Sequence, residues 1–92
     1  MKGKVIKSLK ELDKVLTSKK LLDEVGGMGE FAIVLNGGLF SRKYIQKLEN
    51  GKYHIIHCID DTTQTLTGKS LLSKTNIGEA MEKGAFTQVL DY

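Results

Sequence analysis

The chain has no proline, no tryptophan and a single cysteine, Cys58. One cysteine excludes an internal disulfide framework and suits a reducing compartment. Without proline, breaks in secondary structure fall to glycine and to short polar residues. No apolar run approaches the roughly 20 residues that cross a bilayer as a helix. The opening Met-Lys-Gly-Lys-Val-Ile-Lys lacks the apolar h-region of a secretion signal. A cytoplasmic location without membrane contact is therefore expected. Strong charge of one sign is missing too. Fourteen basic against eleven acidic residues give a net charge of +3, which permits contact with nucleic acid or acidic proteins without demanding it.

At 92 residues the chain fits one domain, 1–92. A domain this small buries only roughly 60–65% of the surface its unfolded chain exposes. Its core is small, there is no space for a cofactor domain, and self-association or a protein partner is expected.

The stretch Phe31–Asp60 organises the rest. Phe31–Leu35 is apolar throughout, as in a strand covered on both faces. Asn36-Gly37-Gly38 supplies a tight hairpin, Leu39–Leu48 a middle strand, and Asn50-Gly51 a second hairpin expected to be type I′. Tyr53–Ile59, rich in β-branched and aromatic residues, is the third strand. Before this meander, Val5 and Ile6 within Lys4–Lys7 make a short strand or an extended lead-in. Ser8 and Glu11 form a capping box that starts a helix with Leu9, Leu12, Val15 and Leu16 on one face. Leu21, Leu22 and Val25 fall on nearly the opposite side, so a break near Thr17 and a second helix are expected. After the meander, Thr65–Thr67 is a brief extended piece and Lys69–Lys74 a helical turn or two. Asn76 and Glu79 cap a helix closed by Gly84, and Phe86–Tyr92 is a terminal strand or tail. The class is α+β, with N-terminal helices packed on a three- to four-stranded antiparallel β-meander and a short C-terminal helix.

Two-residue turns at Gly37-Gly38 and Asn50-Gly51 would set Phe31, Ile33, Arg42, Tyr44, Tyr53, Ile55, His57 and Ile59 on one face. Lys43, Ile45, Lys47, His54, Ile56 and Cys58 would share the other. Helices are expected on the first, more aromatic face, leaving the second exposed. A one-residue slip would exchange the faces of a strand.

No catalytic constellation emerges. Gly68-Lys69-Ser70 resembles the end of a phosphate-binding loop, but Thr63 stands where that motif needs its first glycine. His57 and Cys58 diverge across a strand, so they form neither a dyad nor, with His54, a metal site. Cys58 is expected to be a small buried side chain, and Asp60-Asp61 a solvated turn. No cofactor or metal is expected.

Three surfaces remain. The lysine-dotted face and open strand edges would serve a protein partner or a second copy. Arg42, Lys43 and Lys47 would hold nucleic-acid phosphates on the sheet. The backbone of Asn36, Gly37 and Gly38, with Ser41 and Lys43, would cradle a small anion or nucleotide. The candidate binding residues are thus Asn36, Gly37, Gly38, Ser41, Arg42, Lys43, Lys47 and His54.

Leu35-Asn36-Gly37-Gly38, Ser41, Lys43 and Ile45, with Thr75-Asn76-Ile77-Gly78-Glu79-Ala80 and Gly84-Ala85, resemble small proteins of bacteria and their phages. The likeness spans roughly the last two-thirds of the chain and contains no catalytic motif. It implies a compact cytoplasmic protein whose work is binding. The sequence thus leads to a non-enzymatic binding protein acting through protein contacts.

Overall fold

The structure, a computed structural model, describes residues 2–18, 27–35 and 38–90. Strand β1 (Lys2–Val5) leads into helix α1 (Leu9–Leu16). The Ser8 hydroxyl accepts from the Glu11 amide at 3.2 Å, as a capping box requires. The Glu11 carboxylate reaches back one residue further than expected, to the Lys7 amide at 2.7 Å. The helix ends at Leu16 with Thr17 as its cap, at the expected break. The helix expected around Leu21–Val25 lies outside the described residues.

Four strands follow as an antiparallel meander: β2 (Met28–Leu35), β3 (Gly38–Lys47), β4 (Tyr53–His57) and β5 (Thr63–Leu66). Helix α2 (Gly68–Lys74) starts at Thr67, whose hydroxyl accepts from the Ser70 amide at 3.2 Å. Helix α3 (Ile77–Glu82) follows and closes in a Schellman arrangement. The Ala85 amide donates to the Ala80 carbonyl and the Gly84 amide to the Met81 carbonyl, with Gly84 at φ +68°.

The terminal segment is β6 (Phe86–Leu90), and its place enlarges the expected sheet. It inserts between β1 and β2, giving a six-stranded antiparallel sheet in the order β1-β6-β2-β3-β4-β5 rather than one of three or four strands. The strands expected as possible edges, Phe31–Leu35 and Tyr53–Ile59, are both interior; β1 and β5 form the edges.

Register is where the structure departs most from expectation, and the departure decides the site. The second hairpin is a three-residue loop, not a two-residue type I′ turn. The Gly51 amide donates to the Leu48 carbonyl, Gly51 takes φ +84°, and Lys47 rather than Leu48 lies opposite Tyr53. In the first hairpin Phe31 lies opposite Lys43 rather than Tyr44. Arg42 and Ser41 there face Ala32 alone, a β-bulge with Ser41 in the left-handed region at φ +53°. The two one-residue differences compensate. The strands β2 and β4 keep their expected faces, and from Arg42 onward β3 is turned over.

One core cluster results. Phe31, Ile33, Ile45, Tyr53, Ile55 and Phe86 from the sheet pack with Leu12, Val15 and Leu16 of α1, Leu71 of α2, and Ile77, Ala80 and Met81 of α3. The rings of Phe31 and Phe86 stack with centroids 5.4 Å apart. All three described helices therefore cover this inner face. Tyr53 ties it to α1. Its phenol donates to Asp13 Oδ1, which also takes Lys47 Nζ at 3.0 Å, and that ammonium sits 5.5 Å over the Tyr53 ring. Among the described residues no helix is long and apolar enough to cross a membrane.

Candidate functional site

Turning β3 over carries Lys43 to the inner face, where only 1% of the residue is exposed. It lies opposite Phe31 on one side and His57 on the other. Its Nζ donates to Asn76 Oδ1 at 3.3 Å. Burial pushes the ammonium below lysine's ordinary range, and nearby Cys58 opposes the shift. Asn76 was expected to cap α3 with its side chain, but it makes no such bond. The Thr75 hydroxyl accepts from the Ile77 amide at 3.1 Å instead, which releases the Asn76 carbonyl for Lys43.

Beside this pair opens a polar cleft of about 500 Å³, between the β4–β5 corner and the α2–α3 junction. Its walls are His57, Asp60, Thr62, Thr63, Gln64, Lys74, Thr75 and Asn76. His57 Nε2 lies 2.9 Å from Gln64 Oε1. An amide oxygen only accepts, so the imidazole donates through Nε2. Asp60 Oδ1 accepts from both the amide and the hydroxyl of Thr62, at 3.1 and 2.7 Å. Those bonds hold the carboxyl below its ordinary range, the hydroxyl contributing most. Asp61 completes the corner at φ +57°.

The outer face is uncovered by any described helix. Tyr44 lies at its middle between Glu30 of β2 and Ile56 of β4, and Gln46 lies between Met28 and His54. Tyr44 and Val5 are exposed, and Ile56 is half-buried. Arg42 pairs with Glu30, which raises the guanidinium's pKa through that bond. The same carboxylate pushes the exposed Tyr44 phenol up. Beyond β4, Ile59 is 80% exposed.

The candidate residues are thus dispersed. Arg42 and His54 lie on the outer face; Lys43 and Lys47 lie on the inner one, held by Asn76 and Asp13. A basic sheet face made of Arg42, Lys43 and Lys47 does not form, because the bulge puts Arg42 opposite in sense to the lysines. Gly38 and Ser41 belong to β3, while Asn36 and Gly37 lie outside the described residues. Lys43 points toward α3. Cys58, expected to be buried, is exposed because β4 ends at His57. Ile59 is exposed for the same reason.

Gln64, Lys74, Thr75 and Asn76 escaped the sequence reading as a site. Each has a sufficient local role there, in a strand, a helix end or a cap. Only the pairing of β3 with β4 and the packing of α3 bring them together. No protein-family model, curated protein or solved structure matches the chain.

Proposed function

We propose that the protein is a binding module rather than a catalyst, and that it works through protein contacts on the outer face of its sheet. One observation carries this reading. A six-stranded sheet has one side packed by helices, while the other presents Tyr44 and Ile56 among Glu30, Arg42, Gln46 and His54 with no described helix upon them. Antiparallel sheets tolerate a wet face, and that face usually alternates to polar residues. Here an aromatic ring lies mid-sheet, ringed by groups that donate and accept, the composition of an interface centre with a polar rim. The partner is a second copy of the chain or another protein.

Two measurements test it. Sedimentation over rising concentration reads self-association, and affinity capture from the native host reads a partner. Tyr44→Glu should abolish whichever contact is found while leaving the circular dichroism spectrum unchanged. A monomer at every concentration, together with capture that is identical for both forms, would refute the reading.

A further inference from the structure

Lys43 is a charge without a counter-charge. Its residue is 1% exposed, no carboxylate of the described residues lies within ion-pair distance of it, and its one hydrogen bond is a long one to a neutral amide. Buried ammonium groups are ordinarily matched by an anion. A methionine or leucine would fill the same inner position of β3 without that cost.

The cleft in front of Asn76 has the complementary chemistry. Lysine has no lone pair, so the atom Asn76 turns to it is Oδ1, and the amide's NH2 remains for the cleft that Asn76 lines. Gln64 turns Oε1 to His57, and its NH2 likewise remains. Lys74 adds an ammonium at the rim. Asp60 is the only carboxylate among the described residues of the lining, and its Oδ1 is already engaged by Thr62. Amide and hydroxyl groups therefore dominate the walls, Lys74 and Asp60 balance in charge, and the uncompensated charge is that of Lys43, behind Asn76. A cation would add to the unmatched charge of Lys43, and a neutral sugar would leave it uncompensated. A phosphate offers several acceptor oxygens and the charge. The cleft is wide open to solvent, and its volume of about 500 Å³ exceeds the needs of a bare ion.

We propose that this cleft binds a small phosphate-bearing molecule, its phosphate held by the amides of Asn76 and Gln64 and by Lys74, with the buried ammonium of Lys43 behind Asn76 supplying the unmatched charge. The site lies on the opposite side of the sheet from the protein-binding face and stands or falls independently of it. Burial holds the Lys43 ammonium below its ordinary range, and a bound anion would restore it.

The test is an NMR titration of the full chain with inorganic phosphate, ribose 5-phosphate and malonate, with affinities from calorimetry. Saturable shifts of the Asn76 and Gln64 side-chain amides are expected, with ribose 5-phosphate binding tighter than inorganic phosphate and malonate weakest. Lys43→Met should weaken ribose 5-phosphate by about tenfold, through loss of the positive charge behind the site. Asn76→Asp leaves the Thr75 hydroxyl on the Ile77 amide, gives Lys43 an internal carboxylate and should abolish binding. It serves as the second variant should Lys43→Met fold poorly. No saturable shift at Asn76 and Gln64, malonate binding as tightly as the phosphates, or wild-type affinity in Asn76→Asp would overturn the proposal. Inorganic phosphate outbinding ribose 5-phosphate would overturn the assignment of an organic ligand.

Discussion

Lys43→Met should make the protein more stable. Methionine matches the lysine stem in length and volume and keeps its contacts with the inner face. What is removed is an ammonium with 1% residue exposure and a single 3.3 Å bond. Exchanging buried ions for well-packed apolar residues is neutral to stabilising by about 1–4 kcal/mol. Asn76 is exposed, so its freed carbonyl returns to water at little cost, and a gain of about 1–2 kcal/mol is expected. In a domain of this size each kcal/mol moves Tm by about 4–8 °C. Urea unfolding should show a raised midpoint with an unchanged m-value. The gain should also depend on pH. Because the folded pKa of Lys43 is depressed, the unfolded chain binds more protons between that value and lysine's ordinary 10.5, so wild-type stability rises with pH across that window. The advantage of Lys43→Met is therefore largest below the folded pKa and shrinks as pH approaches 10.5. A variant destabilised by more than about 1 kcal/mol, or an advantage independent of pH, would refute the view of Lys43 as an uncompensated charge. It would make the ammonium an ordinary structural group.

Tyr53→Phe removes the phenol that binds Asp13 and should cost about 1.5–3 kcal/mol, the range for a hydrogen bond to a charged group, read by urea unfolding. The folded Tyr53 phenol is raised well above its ordinary value, burial contributing most and Asp13 next. The unfolded state therefore deprotonates first, and wild-type stability should fall as pH climbs above about 10, less so in Tyr53→Phe. Ser41→Gly should stabilise by roughly 0.5–1 kcal/mol. A side chain in the left-handed region costs about 1–2 kcal/mol, of which glycine's unfolded freedom returns part. A loss of stability there would show that the Ser41 side chain, not the bulge alone, is required.

Much of the chain's local structure is legible in its residues. Ser8 with Glu11 starts α1, Thr17 ends it, Gly84 closes α3, and the glycine corners fold the middle into a meander. Each depends on interactions spanning a few residues, and these act whatever the rest of the chain does. The candidate site was legible only in fragments. Lys43 was singled out, but for the wrong side of the sheet. Asn76 was read as a cap because the competing claim on its carbonyl comes from a residue 33 positions away.

Sequence by itself determined the α+β class and the antiparallel meander. Tertiary structure decided the place of β6 between β1 and β2, the two edges, and above all which way β3 faces. The physical reason is the two-residue period of a strand. One extra residue at Ser41 and one at the Asn50-Gly51 loop turn over every side chain between them. Asn-Gly favours a two-residue loop, yet its glycine also suits the left-handed position that ends a three-residue one. Packing decides. The observed register puts Ile45 under the helices between Phe31 and Ile55, and it carries Lys43 inside with it.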